Sequence, residues 1–138
     1  MTIVDASVAI KWLLPEPGAD HAEMLLESGE QLAAPALIRV EVAAAIARKV
    51  RRKEIEPRDG GTAFDLWLRC ITAGVIALIP DEAHIHLAWK IAMKLNHPLQ
   101  DCLYLAAAER LEAALVTADR KFVAAAGRDY PRARLLGS

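Results

Sequence analysis

Five short apolar runs, each parted from the next by a segment with helical spacing, constrain this chain more than any other feature. The runs are Thr2–Val4, Gln31–Ala34, Val75–Ile79, Ala114–Val116 and Arg134–Leu136. Val75–Ile79 is the clearest of them, continuous and apolar, bounded by Gly74 and Pro80. Between the runs the spacing predicts helices over 6–14, 19–27, 35–53, 62–72, 81–95, 99–111 and 120–126. Pro15 to Gly18, Ser28-Gly29, Gly74 and Asn96-His97-Pro98 supply the breaks, and Pro35 suits a helix start. The stretch EPRDGG, Glu56 to Gly61, reads as a linker; on the helix after it, Phe64, Leu68 and Ile71 share a face. Strands joined through helices cannot pair as hairpins. They lie parallel in one sheet with helices on both faces, an α/β fold. The 138 residues suit a single domain with one core, residues 1–138.

Of the hydrophobic residues 27 are Ala, the best helix former, so the apolar excess reads as close helix packing. No run approaches the ~20 apolar residues of a bilayer span. Asp5 interrupts the first apolar run, which argues against a signal peptide. Cys70 and Cys102 form no CxxC and read as small buried thiols of a reducing cytoplasm. Net charge is -1, so the chain as a whole does not attract nucleic acid. One basic cluster stands out, RKVRRKE from Arg48 to Glu54. It reads first as a helix end whose cations complement the dipole, and second as a phosphate contact.

In open parallel sheets, ligands bind beyond the carboxyl ends of the strands. Asp5 follows the first run directly, and Asp119 follows the fourth after Thr117 and Ala118. Each alone reads equally as a helix N-cap. Glu41 has Leu37, Ala44 and Ala45 as helical neighbours and lies too far inside its predicted helix to be a cap; otherwise it is a surface Glu at the stripe's edge. Asp101 sits above Leu105 and Ala108, with a first-turn dipole partner as its plain alternative. Taken together, two acids end strands and two lie on helix faces that turn toward the sheet.

Gathered carboxylates repel, and a divalent cation makes such a cluster tolerable. Oxygen donors without a His or Cys set point to Mg2+ or Mn2+. The Ser7 and Thr117 hydroxyls stand near the strand ends, able to orient the acids. Carboxylate-held cations of this kind serve attack on phosphate, which makes phosphodiester hydrolysis the leading chemistry. Competing motifs are absent: no GxSxG, GxGxxG or GxxxxGK[ST] occurs. His84 and His86 point to different helix sides and do not make a zinc pair. Trp12, Trp67 and Trp89 read as core or interface.

Three stretches, IVDASVAIKWLLPE, APALIRVEVAAAIARKVRRKEI and LNHPLQDCLYLAAAERLEAALVTADRKF, resemble PIN-domain nucleases, specifically VapC-type toxins of type II toxin–antitoxin pairs. They stand in that family's order and span nearly the whole chain. The resemblance implies a Mg2+- or Mn2+-dependent ribonuclease, cytoplasmic and dimeric, inhibited by a VapB-type antitoxin. It matches Asp5, Glu41, Asp101 and Asp119 to the catalytic acids. Asp5, Asp101 and Asp119 would hold the metal, with Thr117 and Ser7 as supporting hydroxyls. Some relatives carry a further acid two positions beyond Asp119, where this chain has Lys121, so the resemblance carries one firm metal position and leaves a second open.

Two rival readings share the α/β frame. A phosphoacceptor signalling domain needs paired acids after the first strand, and VDAS supplies one; aspartate-nucleophile phosphatases need Asp-x-Asp, and position 7 is Ser. A catalytically silent binding module would not need all four acids.

Overall fold

In the computed structural model, which describes residues 1–138, β1 (Thr2–Val4) lies at the centre of a five-stranded sheet. The strand order is β3-β2-β1-β4-β5, with β2 Leu32–Pro35, β3 Ala77–Ile79, β4 Ala114–Thr117 and β5 Ala133–Leu135, every pairing parallel. The register aligns Ile3 with Ala33 on one side and with Leu115 on the other. Ile3 and Val4 are fully buried because helices cover both faces of the central strand. The chain lays β2 and β3 to one side of β1, then returns to place β4 and β5 on the other. This reversal opens a crevice at the carboxyl ends of β1 and β4.

Seven helices surround the sheet: α1 Ala6–Ala9, α2 Ala19–Glu27, α3 Ile38–Arg51, α4 Pro57–Thr72, α5 Ile85–Leu95, α6 Leu99–Arg110 and α7 Arg120–Ala126. Helix α6 crosses β1, β2 and β4, and α5 packs over it. Seven successive residues, Cys102 to Ala108, are buried, so α6 is apolar all round. Its triple Ala, 106–108, permits close approach to the sheet. Its first turn carries Asp101 to the carboxyl edge.

Several sequence expectations shift. Val75 is not in a strand: its N–H bonds to the Cys70 carbonyl and closes α4, which leaves β3 a three-residue edge strand. Pro35 ends β2 rather than starting a helix, since the Ala36 N–H carries the ladder on to the Ile79 carbonyl. The EPRDGG stretch is no linker. Pro57 opens α4, where its missing N–H costs nothing, and a Cβ on Gly60 would meet Val50 Cγ2 at 2.4 Å. Gly60 is thus a point of close approach between α3 and α4. The buried stripe of α4 is Gly60, Ala63 and Trp67, while Phe64 and Leu68 face outward. Helix α1 passes into a 3-10 turn at Ile10–Trp12, and another 3-10 turn, Asp81–Ala83, precedes α5.

Of the two free thiols, Cys102 is buried and Cys70 half-buried. His84 is buried and His86 exposed, consistent with the two-sided reading. No helix is long and apolar enough to cross a membrane.

Candidate active site

Asp5 turns from β1 into α1 and serves both of its expected roles. Its Oδ1 accepts from the Val8 N–H at 3.3 Å, as an N-cap does, and from the Ser7 hydroxyl at 2.6 Å. Its Oδ2 accepts from the Thr117 hydroxyl at 2.5 Å. That last bond crosses from the end of β4, and it exists because β1 and β4 are sheet neighbours. Thr117 is fully buried, and its oxygen also accepts the Asp119 N–H at 3.1 Å. Ser7 Oγ accepts the Ala118 N–H at 2.9 Å. Both hydroxyls therefore tie the β1 end to the β4 end. Asp119 caps α7 through the Phe122 N–H at 3.0 Å, which leaves its second oxygen free.

Glu41 lies in the first turn of α3, closer to the helix start than the sequence suggests, because α3 begins at Ile38. Its Oε1 accepts from the Tyr104 hydroxyl at 2.6 Å. Asp81 supports the same helix end from across the sheet edge, accepting the Leu37 N–H at 3.1 Å. Asp101 pairs with His97 one turn earlier, Nε2 to Oδ2 at 3.0 Å. The His97 ring leans on Phe122 with centroids 4.8 Å apart.

Asp101 is electrostatically central. Its charge raises the pKa of both Asp5 and Glu41, and Asp119 raises that of Asp101. Lost hydration is the larger cause in all three. Asp5 is pushed up to about 6, even though Ser7, Thr117 and the Val8 N–H oppose the shift. Burial also raises Glu41 against the Tyr104 hydrogen bond, and Asp81 adds to the rise. Burial raises Asp101 against the pull of His97. The Tyr104 phenol is raised far above its ordinary range by burial and by Glu41, so it remains a donor.

The four expected acids thus share one edge of the sheet, within electrostatic reach through Asp101. The closest group is a different triple. Single donor atoms of His97, Asp101 and Asp119 all lie within 4.8 Å of one another. Oxygen–metal bonds of ~2.1 Å set opposite ligands about 4.2 Å apart, so side-chain shifts of some tenths of an ångström would bring this triple onto one small divalent cation. Asp5 and Glu41 flank it. Excess negative charge with raised pKa values is what such a cation relieves.

Sequence reading missed His97, Tyr104 and Asp81. His97 and Asp101 are four apart, a spacing that pairs side chains on a helix. Here the pair straddles the Asn96-His97-Pro98 break, which hid it. Tyr104 lies one turn beyond Asp101, in a run that looks wholly apolar. Asp81 acts across elements and left no local signal. Of the three Trp residues, Trp67 is buried and donates to the Arg39 carbonyl; Trp12 is half-buried and donates to the Ala22 carbonyl; Trp89 is exposed.

The PIN domain family profile matches residues 2–128. The VapC ribonuclease of Mycobacterium bovis is 33% identical over 119 residues, 86% of this chain and 86% of its own. Among solved structures, one from Pyrobaculum aerophilum superposes with a TM-score of 0.73 at 20% identity, over 98% of this chain and 83% of its own. A toxin–antitoxin complex from Klebsiella pneumoniae gives 0.66 at 18%, covering 97% and 96%. A profile that spans nearly all the elements around these acids, together with that identity, means that this chain belongs to the PIN domain family.

Proposed function

We propose that this chain is a divalent-metal-dependent endoribonuclease that hydrolyses RNA phosphodiester bonds, acting as the toxin of a VapBC-type pair. A VapB-type antitoxin holds it in check, and it works as a cytoplasmic homodimer. The observation that carries this reading is the convergence of Asp5, Glu41, Asp101 and Asp119 at the switch point of the sheet, knitted by Ser7, Thr117 and Tyr104. The M. bovis relative is named a VapC ribonuclease, and the Klebsiella neighbour is a toxin–antitoxin complex. Both support the same assignment.

Asp101 and Asp119 would hold Mg2+ or Mn2+, with Asp5 beside them and His97 in reach. The cation, when bound, offsets charge on the phosphoryl oxygens and acidifies water. The chain's own residues do the rest. Ser7 and Thr117 keep Asp5 ionised and fixed in direction. Tyr104 holds one Glu41 oxygen, which leaves the other free to accept a proton from water. No side chain needs to form a bond to phosphorus. Asp5, with both oxygens hydrogen-bonded, is a poor nucleophile, which disfavours the phosphoacceptor alternative.

The test is cleavage of single-stranded RNA by the purified chain with Mg2+, with Mn2+ and in excess EDTA. Cleavage should need either metal and be lost in Asp101→Asn. Undiminished cleavage in EDTA would sink the mechanism.

A further inference from the structure

The basic cluster at the end of α3 is not exhausted by its helix-end role. One or two cations suffice to complement a helix dipole, yet Arg48, Lys49, Arg51, Arg52 and Lys53 follow one another almost without interruption. Some of them face the site. A groove beside the crevice is lined by Arg48, Lys49 and Arg52 on one wall and by Ser7 and Ala118 on the other. Ser7 is the residue whose hydroxyl donates to Asp5.

The floor of this groove is braced. Glu16 accepts from Lys11 at 3.1 Å and from Lys49 at 3.0 Å, and Lys11 also donates to the Pro17 carbonyl at 2.8 Å. Lys49 additionally lies 3.7 Å from Glu54. Two lysines are thereby held in place by carboxylates. Arg48 and Arg52, one helical turn apart and exposed, have no carboxylate partner. With Lys11 and Lys49 they set four cations against Glu16 and Glu54, so the groove carries two positive charges in excess. Lys11 and Ala118 also line a second groove on the far side, which contains Arg120 and His21. The two grooves therefore adjoin at Lys11 and Ala118.

We propose that this cationic groove is the track for the phosphate backbone of a single-stranded RNA substrate, with Arg48 and Arg52 gripping phosphates on one side of the scissile bond. The proposal rests on the ribonuclease reading for the identity of its ligand. Charge complementarity carries it: an acidic site repels a polyanion, and a nearby surplus of unpaired guanidinium groups holds it there. The braced lysines lower the cost of ordering, because Glu16 already fixes them.

The experiment measures RNA binding separately from cleavage. Fluorescence anisotropy of a labelled single-stranded RNA is recorded against the full-length Asp101→Asn chain over a range of salt. It is repeated with Arg48→Gln and Arg52→Gln added, singly and together. A charge-matched control carries Arg69→Gln and Arg128→Gln, which lie outside the groove. Losing two phosphate contacts should lower the log–log salt slope by about 1.4 and weaken binding about tenfold at low salt. The control should keep the parent slope. Thermal melts check that each variant folds, and the single variants, each expected to lose about half the slope change, serve if the double does not. Equal losses in groove and control variants would overturn the proposal, as would an unchanged slope or a parent chain that does not bind RNA. A groove variant that binds RNA normally but loses affinity for the antitoxin would assign the groove to that protein instead. Cleavage by the unmodified chain, assayed in parallel, keeps the two readings apart. Cleavage without a groove effect rejects only the track; a groove effect without cleavage rejects only the ribonuclease.

Discussion

Tyr104 donates its hydroxyl proton to Glu41 at 2.6 Å, joining residues 63 positions apart. The phenol is buried in α6, and the carboxylate stands at the start of α3. The bond satisfies a buried hydroxyl and fixes one of the proposed catalytic acids at once. Tyr104→Phe should therefore destabilise the fold by about 1 kcal/mol, the usual worth of such a bond, and lower RNA cleavage severalfold. Urea unfolding and a cleavage assay measure the two effects. A variant equal to the parent in both would show that the bond positions nothing.

Glu41→Gln separates charge from shape. Gln can still accept the Tyr104 hydrogen bond, so only the charge is lost. RNA cleavage should drop at least tenfold. Without metal, the melting temperature should hold or rise, because burial and the charges of Asp101 and Asp81 all disfavour the ionised form. Added Mg2+ should stabilise the parent more than the variant. A variant as active as the parent, with the same response to metal, would remove Glu41 from the site.

Asp5 makes the metal-free fold sensitive to pH. Its folded pKa is about 6 against an ordinary 3.8, so the native state holds this proton more tightly than the unfolded chain. The ionised group penalises the native state above pH 6. The penalty shrinks as pH falls through 6 and is gone below about 4. Discounted for partial exposure, it is of order 1–2 kcal/mol. In chelator, the stability of the parent should therefore gain on that of Asp5→Asn as pH drops from 7.5 to 4.5. A stability difference that stays flat over this range, or runs the other way, would contradict the buried-carboxylate account.

His97 adds an imidazole to a site that otherwise offers oxygen. Imidazole suits Mn2+ better than Mg2+. His97→Ala should weaken Mn2+ binding by about tenfold, the scale seen when a metal ligand or its hydrogen-bond partner is removed, and should affect Mg2+ less. Titration calorimetry with each ion reads this directly. Equal losses for the two ions would leave His97 only as the hydrogen-bond partner of Asp101.

Of the three Trp residues, only Trp89 is exposed enough to serve assembly. Trp12 and Trp67 are turned inward by their hydrogen bonds, whereas Ile85, Trp89 and Met93 form an exposed stripe on α5. If the chain dimerises through this stripe, Trp89→Glu should shift it to monomer in light scattering at micromolar concentration. A parent chain that is already monomeric, or a variant that stays dimeric, refutes the role of the stripe.

The local chemistry of the chain determined a great deal by itself. Periodicity marked the alternation of strands and helices, since an apolar run of three to five residues between helical segments suits little besides a parallel strand buried on both faces. The types of Asp5, Glu41, Asp101 and Asp119, and their places at strand ends or on apolar helix faces, make them a set from the sequence alone. Tertiary structure decided what depends on neighbours distant in sequence. Gly60 reads as a linker residue until Val50 is seen against it. Glu41 reads as isolated until Tyr104 reaches it, and the His97 pairing with Asp101 is hidden by a helix break. Only the strand order sets Thr117 against Asp5, across 112 positions. Periodicity reports what a residue's own backbone allows. Hydrogen bonds and charges act over a few ångströms of space, and folding alone sets which side chains share that space.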